Sequence, residues 1–284
     1  MGKTESSIRK PDRTSVPTVR NLTIFIPLSR PWRIDRMVEQ LGKLNTDGFQ
    51  TTLLFVVDNA EIKEGHITEA FDKYELPRYK TIFHFTNNPP ASEHNANARR
   101  DRIKNVWLIA AEKVSNDADF VMTVEDDTDF DANALQALMS NYDNLTAAGK
   151  QVGLVSGVQV GRWGLKMIGA WRADNVEDPK VWETIPFTRT EILEAVDAAG
   201  FYCFVTPAHL FKSAKYEWGW FGCDVMYGLE CRQKGFENFI DWTVETGHVM
   251  QHKTLRPDES CIVARYERDG EKWKLTAPKK GDLS

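Results

Sequence analysis

Cysteine is scarce in this sequence. Cys203, Cys223, Cys231 and Cys261 are the only four in 284 residues, and no two have C-x-x-C spacing. That argues against a disulfide framework and against a thiolate zinc site, so the thiols are read as reduced, mostly buried small side chains. Long hydrophobic runs are also missing. The longest, such as 51–57 and 201–205, fall far short of the roughly 20 residues that cross a bilayer, and the opening MGKTESSIRK has no apolar signal core. A soluble, cytoplasmic protein with no membrane span is expected. There is no excess of positive charge: 36 Lys and Arg against 41 Asp and Glu give a net charge of −5. This removes the simplest electrostatic case for a sequence-blind nucleic-acid binder and leaves room only for a local basic patch. No G-x-x-x-x-G-K-[ST] occurs, which disfavours a P-loop enzyme, and no repeat or low-complexity linker interrupts the chain.

What is present is a composition that folds: 42% hydrophobic residues, 11% aromatic and 27% charged. Residues 1–20 read as a flexible basic arm. From 21 to 160, short β-rich runs alternate with helical patterns. Strands are expected at 22–27, 52–57, 81–85, 120–124 and 152–158. Helices are expected at 33–44, where Ile34, Met37, Val38, Leu41 and Leu44 make one apolar stripe, at 100–114, and through Leu135, Leu138 and Met139. Such alternation predicts an α/β architecture, a mostly parallel central sheet flanked by helices. Ligands of open α/β sheets bind outside the carboxyl ends of the strands. Three polar clusters fall there: Ser29–Arg30, Asp58–Asn59 and 125–129. From 161 to 263 the pattern becomes Trp- and Gly-rich and irregular, suited either to a surface that receives a flat or ring-shaped substrate or to tryptophans buried in a mixed α+β half. Residues 264–284 read as a charged tail, loosely packed, with Trp273 as its anchor.

Glu125, Asp126, Asp127 and Asp129 put four carboxylates into five positions directly after an apolar strand. Like charges so close are unfavourable unless cations or basic groups neutralise them. Mg²⁺ or Mn²⁺ does so naturally, since both favour carboxylate oxygens and keep positions open for phosphates. The blander alternative is an exposed acidic loop that caps the helix beginning near Asp131, with Asp129 or Asp131 as N-cap.

FVMTVEDDTDF resembles the acidic strand of the GT-A fold glycosyltransferases, in particular the large inverting group called family 2, with Glu125 where the first aspartate of a D-x-D motif usually stands. Either Glu125 and Asp127 or Asp127 and Asp129 form the working pair; Asp127 belongs to both. IFIPLSRP is similar to the family's first strand and turn, and FVVDNA to its second strand. ANARRDRIKNVWLIAAEKVSNDADF is similar to the helix that precedes the acidic strand. The resemblance implies a GT-A, Rossmann-like fold with a mixed acceptor-binding half. It also implies a nucleoside-diphosphate-sugar site drawing on Ser29, Arg30, Asp58, Arg99, Arg102 and Asp126, and a Mn²⁺ or Mg²⁺ ion held by Asp127, Glu125 and the histidine of Gly247–His248. FGCDVMYGLECRQKGF resembles the family's G-E-D segment with Cys223 in place of the glutamate, which makes Asp224 the catalytic base. Such an enzyme moves a sugar with inversion to an acceptor hydroxyl on a glycan, a small molecule or modified nucleic acid, because the hydroxyl must lose a proton as it attacks.

Two other readings compete. A sugar-nucleotide nucleotidylyltransferase has a related nucleotide half, but its first turn needs a glycine-rich phosphate loop, and PLSRPWR contains none. A catalytically silent nucleotide- or carbohydrate-binding module would keep the fold without needing both an acidic motif and a base. A zinc hydrolase on His248 and His252 lacks the helix and the glutamate of H-E-x-x-H. His84, His94 and His209 read as structural or surface groups.

Overall fold

The computed structural model describes residues 19–277 apart from 75, 77–78, 90–95, 162–165, 189–190, 218–220 and 271. The arm at 1–18, the end of the tail, His94 and the tryptophans at 163, 218 and 220 lie outside the described residues.

The first half alternates strand and helix: β1 (Arg20–Leu28), a 3-10 turn (Pro31–Arg33), α1 (Ile34–Lys43), β2 (Phe49–Val57), α2 (Glu64–Lys73), β3 (Lys80–Phe85), α3 (Ala96–Lys113), β4 (Phe120–Val124), the short β5 (Thr128–Asp129), α4 (Ala134–Ala147) and β6 (Val152–Val158). Strands β4 and β6 coincide with the runs expected from sequence. The other expected elements are present with ends shifted by a few residues, while α2, whose apolar pattern is short, was not anticipated. The second half adds β7 (Ala170–Ala173), β8 (Val181–Thr184), β9 (Leu193–Val196), β10 (Ala198–Ala199), β11 (Cys203–Pro207), α5 (Ala208–Ser213), α6 (Cys223–Gln233), β12 (Glu237–Glu245), β13 (Gly247–Val249), β14 (Thr254–Leu255), β15 (Arg265–Asp269) and β16 (Lys272–Ala277).

Eight strands form one sheet in the order β3-β2-β1-β4-β11-β6-β12-β9. All run the same way except β11 and β9, which pair antiparallel with their neighbours. The fold is thus α/β with a large, mostly parallel central sheet, and its opening order 3-2-1-4 is that of Rossmann-like sheets. Alternation along β1 explains why both faces are covered. Ile24 and Ile26 pack with Met37, Val38 and Leu41 of α1, Ile67 of α2 and Leu135 of α4. Phe25 packs instead with Trp107 of α3, Phe211 of α5 and Tyr227 of α6.

A second sheet, β10-β7-β8-β15-β16, lies in the later half, and β14-β13-β5 makes a third. The segment expected to be a loose tail is, over 265–277, a β-hairpin within the second sheet, and Trp273 packs edge-on against Phe221. The small third sheet matters most for the site, because it joins the acidic turn of the first half to the segment around His248.

Candidate active site

The site is assembled at the carboxyl edge of β1, β2 and β4. Parallel register sets Leu28 opposite Val57, so the turn after β1 lies beside the turn after β2, and Asn59 Nδ2 donates to Ser29 O at 2.9 Å. Strand β4 ends at Val124; the next residue, Glu125, donates its N–H to Tyr202 O, and Thr128 N–H returns to Glu125 O to close a tight turn. This turn is not the exposed loop of the blander alternative: Asp126 is 2% exposed and Asp127 and Thr128 are 0%. Nor does either proposed aspartate cap α4. Asn133 holds the cap position, Asp131 accepts the Asn133 N–H just before it, and Asp129 pairs with Arg33.

Arginines make the burial of these carboxylates tolerable. Asp126 Oδ2 accepts the Ser29 N–H at 2.7 Å, the Arg30 N–H at 2.9 Å and the Ser29 hydroxyl at 3.2 Å, while the Arg30 guanidinium bonds Oδ1. The other arm of that guanidinium lies 3.0 Å from Asp127 Oδ2. Burial would lower the Arg30 pKa, but the charges of Asp126, Asp127 and Glu125 outweigh it and raise the pKa, so Arg30 is a permanent cation. Arg33, itself buried, donates to Asp126 O at 2.8 Å and Asp129 Oδ1 at 3.1 Å. Arg36 Nε stands 3.5 Å from the same Asp129 oxygen. Arg33 was missed in the sequence, although the spacing of Arg30, Arg33 and Arg36 at three-residue intervals was a visible signal for one face of a helical turn.

His248 reaches this turn through strand pairing. In the third sheet Gly247 pairs with Asp129 and His248 with Thr128, and Val249 N–H donates to Asp127 O at 2.7 Å. The imidazole Nδ1 lies 2.9 Å from Val160 O. A carbonyl only accepts, so Nδ1 carries the proton. Nε2 is buried, has no hydrogen-bond partner and lies 3.3 Å from Asp127 Oδ2, close but not aligned as a hydrogen bond. Two acceptors facing each other in a buried space favour a cation between them. Two ligands of one ion, each about 2.1 Å from it, lie about 3.0–3.4 Å apart, which the Asp127–His248 spacing matches. No group of three or more His, Cys, Asp or Glu side chains among the described residues is arranged around a metal. The residues therefore fit a cation that takes only two side chains from the protein, as Mg²⁺-type sites that also use phosphate oxygens and water commonly do. Glu125 stays partly exposed, near enough to Cys223 to help raise the thiol's pKa after burial and Asp224.

Asp224 lies in the first turn of α6, whose N-cap is Gly222. Part of the residue is open to solvent, yet protein surrounds the carboxyl closely. Burial pushes its pKa up to about 6, against the pull of its own N–H and that of Val225. A Cβ on Gly222 would lie 2.2 Å from Asp224 Oδ1, and one on Gly200 would lie 3.7 Å from Oδ2 and 2.5 Å from the Tyr202 ring. These glycines leave room for the carboxylate, and Tyr202, whose carbonyl holds Glu125, connects Asp224 to the acidic turn.

The remaining expected residues form a neighbouring group. Asp58 Oδ1 accepts from Thr86 Oγ1 at 2.6 Å and Asn88 Nδ2 at 2.7 Å, and Oδ2 accepts from Arg102 Nε at 2.8 Å. Arg102 also donates to Asp58 O and Pro89 O. In this arrangement Arg102 faces Asp58, and Arg99 is exposed on α3. A cleft of about 360 Å³ lined by Asn116, Ala118, Ala208, His209, Lys212 and Ser213 lies at the opposite end of β4 and contains none of these residues.

No family model matches the chain, and no curated relative matches it. Among solved structures it is similar to protein A197 from STIV (11% identity, 91% of this chain and 95% of that one, TM-score 0.46). It is also similar to S. aureus TarS 1–349 in complex with UDP-GlcNAc (11%, 78% and 55%, TM-score 0.45) and to the inositol-1-phosphate CTP transferase from T. maritima (9%, 82% and 91%, TM-score 0.44). At this level of likeness the reaction has to be argued from the chain's own residues.

Proposed function

We propose that the chain is a metal-dependent, inverting glycosyltransferase of GT-A fold, which moves a sugar from a nucleoside-diphosphate sugar to an acceptor hydroxyl. The observation that carries this reading is the Asp127–His248 pair at the carboxyl edge of the parallel sheet, with a carboxyl of raised pKa, Asp224, across the Gly200–Tyr202 segment. Asp127 and His248 would hold Mn²⁺ or Mg²⁺, with Glu125 beside them; when bound, the ion supplies charge stabilisation for the departing diphosphate. Ser29 and Asp126 shape the first loop, Asp58 lines the base side of the site, and Arg30, Arg99 and Arg102 contribute the positive charge that a diphosphate needs nearby.

Asp224 does the proton chemistry. Ionised at neutral pH, its carboxylate accepts the acceptor hydroxyl's proton as that oxygen attacks the anomeric carbon and the bond to the diphosphate breaks. One displacement inverts that carbon. The nucleotidylyltransferase alternative needs backbone N–H groups after β1 to cradle a triphosphate, but the Ser29 and Arg30 N–H groups are both engaged by Asp126. The deciding experiment incubates the protein with UDP- and GDP-sugars, or with nucleoside triphosphates plus sugar phosphates, with and without Mn²⁺. Metal-dependent release of nucleoside diphosphate supports glycosyl transfer or its hydrolytic side reaction; release of pyrophosphate supports nucleotidyl transfer instead.

A further inference from the structure

We propose that Arg30 is a resident counter-cation that holds Asp127 before the donor arrives, and that it exchanges this contact for the donor's diphosphate when metal and donor bind. The inference rests on the metal-dependent reading above. Its basis is a convergence on one atom: Asp127 Oδ2 lies 3.0 Å from Arg30 Nη2 and 3.3 Å from His248 Nε2. A divalent ion shared by Asp127 and His248 would have the guanidinium as an immediate neighbour, and like charges about 4 Å apart repel strongly inside a protein. Metal and the Arg30–Asp127 contact therefore compete.

Arg30 can give up that contact without releasing its loop. Its own N–H and that of Ser29 hold Asp126, and its other guanidinium arm remains on Asp126 Oδ1. About a quarter of the side chain is exposed, so a ligand can reach it. The freed N–H donors have the planar fork that suits phosphate oxygens. A bound diphosphate would then turn a repelling neighbour into a ligand contact, so that metal and nucleotide strengthen each other reciprocally.

The test is titration of the full chain with Mn²⁺ alone, free ion being read from its EPR spectrum, on the wild type, Arg30→Gln, Arg30→Lys and Arg36→Gln. Loss of one charge-assisted contact corresponds to roughly a tenfold change in an equilibrium constant. Arg30→Gln is expected to bind Mn²⁺ about tenfold more tightly than wild type, with Arg30→Lys between them. Arg36→Gln, which removes an equal charge that does not touch Asp127, is expected to change affinity by less than about threefold. A purely structural Arg30 predicts the opposite sign, because a disordered loop would weaken the site. Equal or weaker binding by Arg30→Gln overturns the competition and leaves the metal site standing. A general charge effect, with Arg36→Gln matching Arg30→Gln, overturns it too. If no variant binds Mn²⁺, both the metal reading and this inference fall.

Discussion

Two groups of polar residues stand side by side at the carboxyl edge of the sheet, and they are satisfied differently. Around Asp58, both carboxylate oxygens have donors, the main-chain carbonyl accepts from Arg102, and Asn88 and Thr86 complete the set within the chain. Around Asp127, Arg30, Arg33 and Arg36 pair with Asp126, Asp127 and Asp129, and the buried His248 Nε2 has no hydrogen-bond partner. The first arrangement is closed and stabilises the loops that carry it. The second leaves a buried imidazole nitrogen unsatisfied beside Asp127, and that marks it as the place where a ligand belongs.

The comparison breaks most sharply at Asp127. Asp127→Asn keeps the shape and removes the charge, so metal-dependent nucleotide binding should be lost altogether, as calorimetry with Mn²⁺ and nucleotide would show. Because Asp127 is buried, Asn is a safer probe than Ala, which would leave a cavity beside Arg30. Unchanged binding in this variant would remove the metal assignment.

Asp224→Asn comes next, with turnover falling by about 10²–10⁴ while donor binding survives. Wild-type turnover should decline tenfold per unit as pH drops below about 6, where Asp224 takes up its proton. The stability effect has the opposite sign. With a folded pKa above the ordinary carboxylate value, ionised Asp224 opposes folding above about pH 6. The Asn variant should thus melt no lower than wild type at pH 8, and any gap should narrow as pH falls below about 6 and close only towards about pH 4, the ordinary carboxylate value. A lower melting point at pH 8 with near-normal turnover would make Asp224 a helix-terminus residue.

His248→Ala should weaken Mn²⁺ binding by about tenfold or more, while His252→Ala, exposed on the β13–β14 turn, leaves it unchanged. Equal effects of the two would return His248 to a structural role. Among the site residues, the smallest effect on binding is expected from Asp58→Asn. It removes a buried, paired charge and should lower stability by about 1–3 kcal/mol, yet change Mn²⁺ affinity in the absence of nucleotide by less than about twofold. Chemical denaturation and the same EPR titration, run together, would show whether the two groups are as separate as their hydrogen bonds suggest.

Much of this is legible in the amino-acid sequence. Alternating apolar runs place β4 and β6 at their observed limits, and the acidic run after β4 marks the edge where the site lies. Arg102 is legible as a basic residue near the site, but its engagement by Asp58 is not, since the helix period cannot say which loop the guanidinium meets. Arg33 escapes because a charged residue beside an apolar stripe reads as solvent-facing, whereas here the carboxylates and carbonyls of a distant turn bury it.

Local periodicity specifies most strands and helices of the first half, and the residue order supplies the chemical inventory of acids, arginines and histidine. Which of these meet is set by tertiary contacts. Antiparallel β11 enters between β4 and β6, bringing Tyr202 to the acidic turn. The pairing of β13 with β5 sets His248 against Asp127. Each depends on register between segments far apart in the chain, and strands of three or two residues carry too little local pattern to announce their partners.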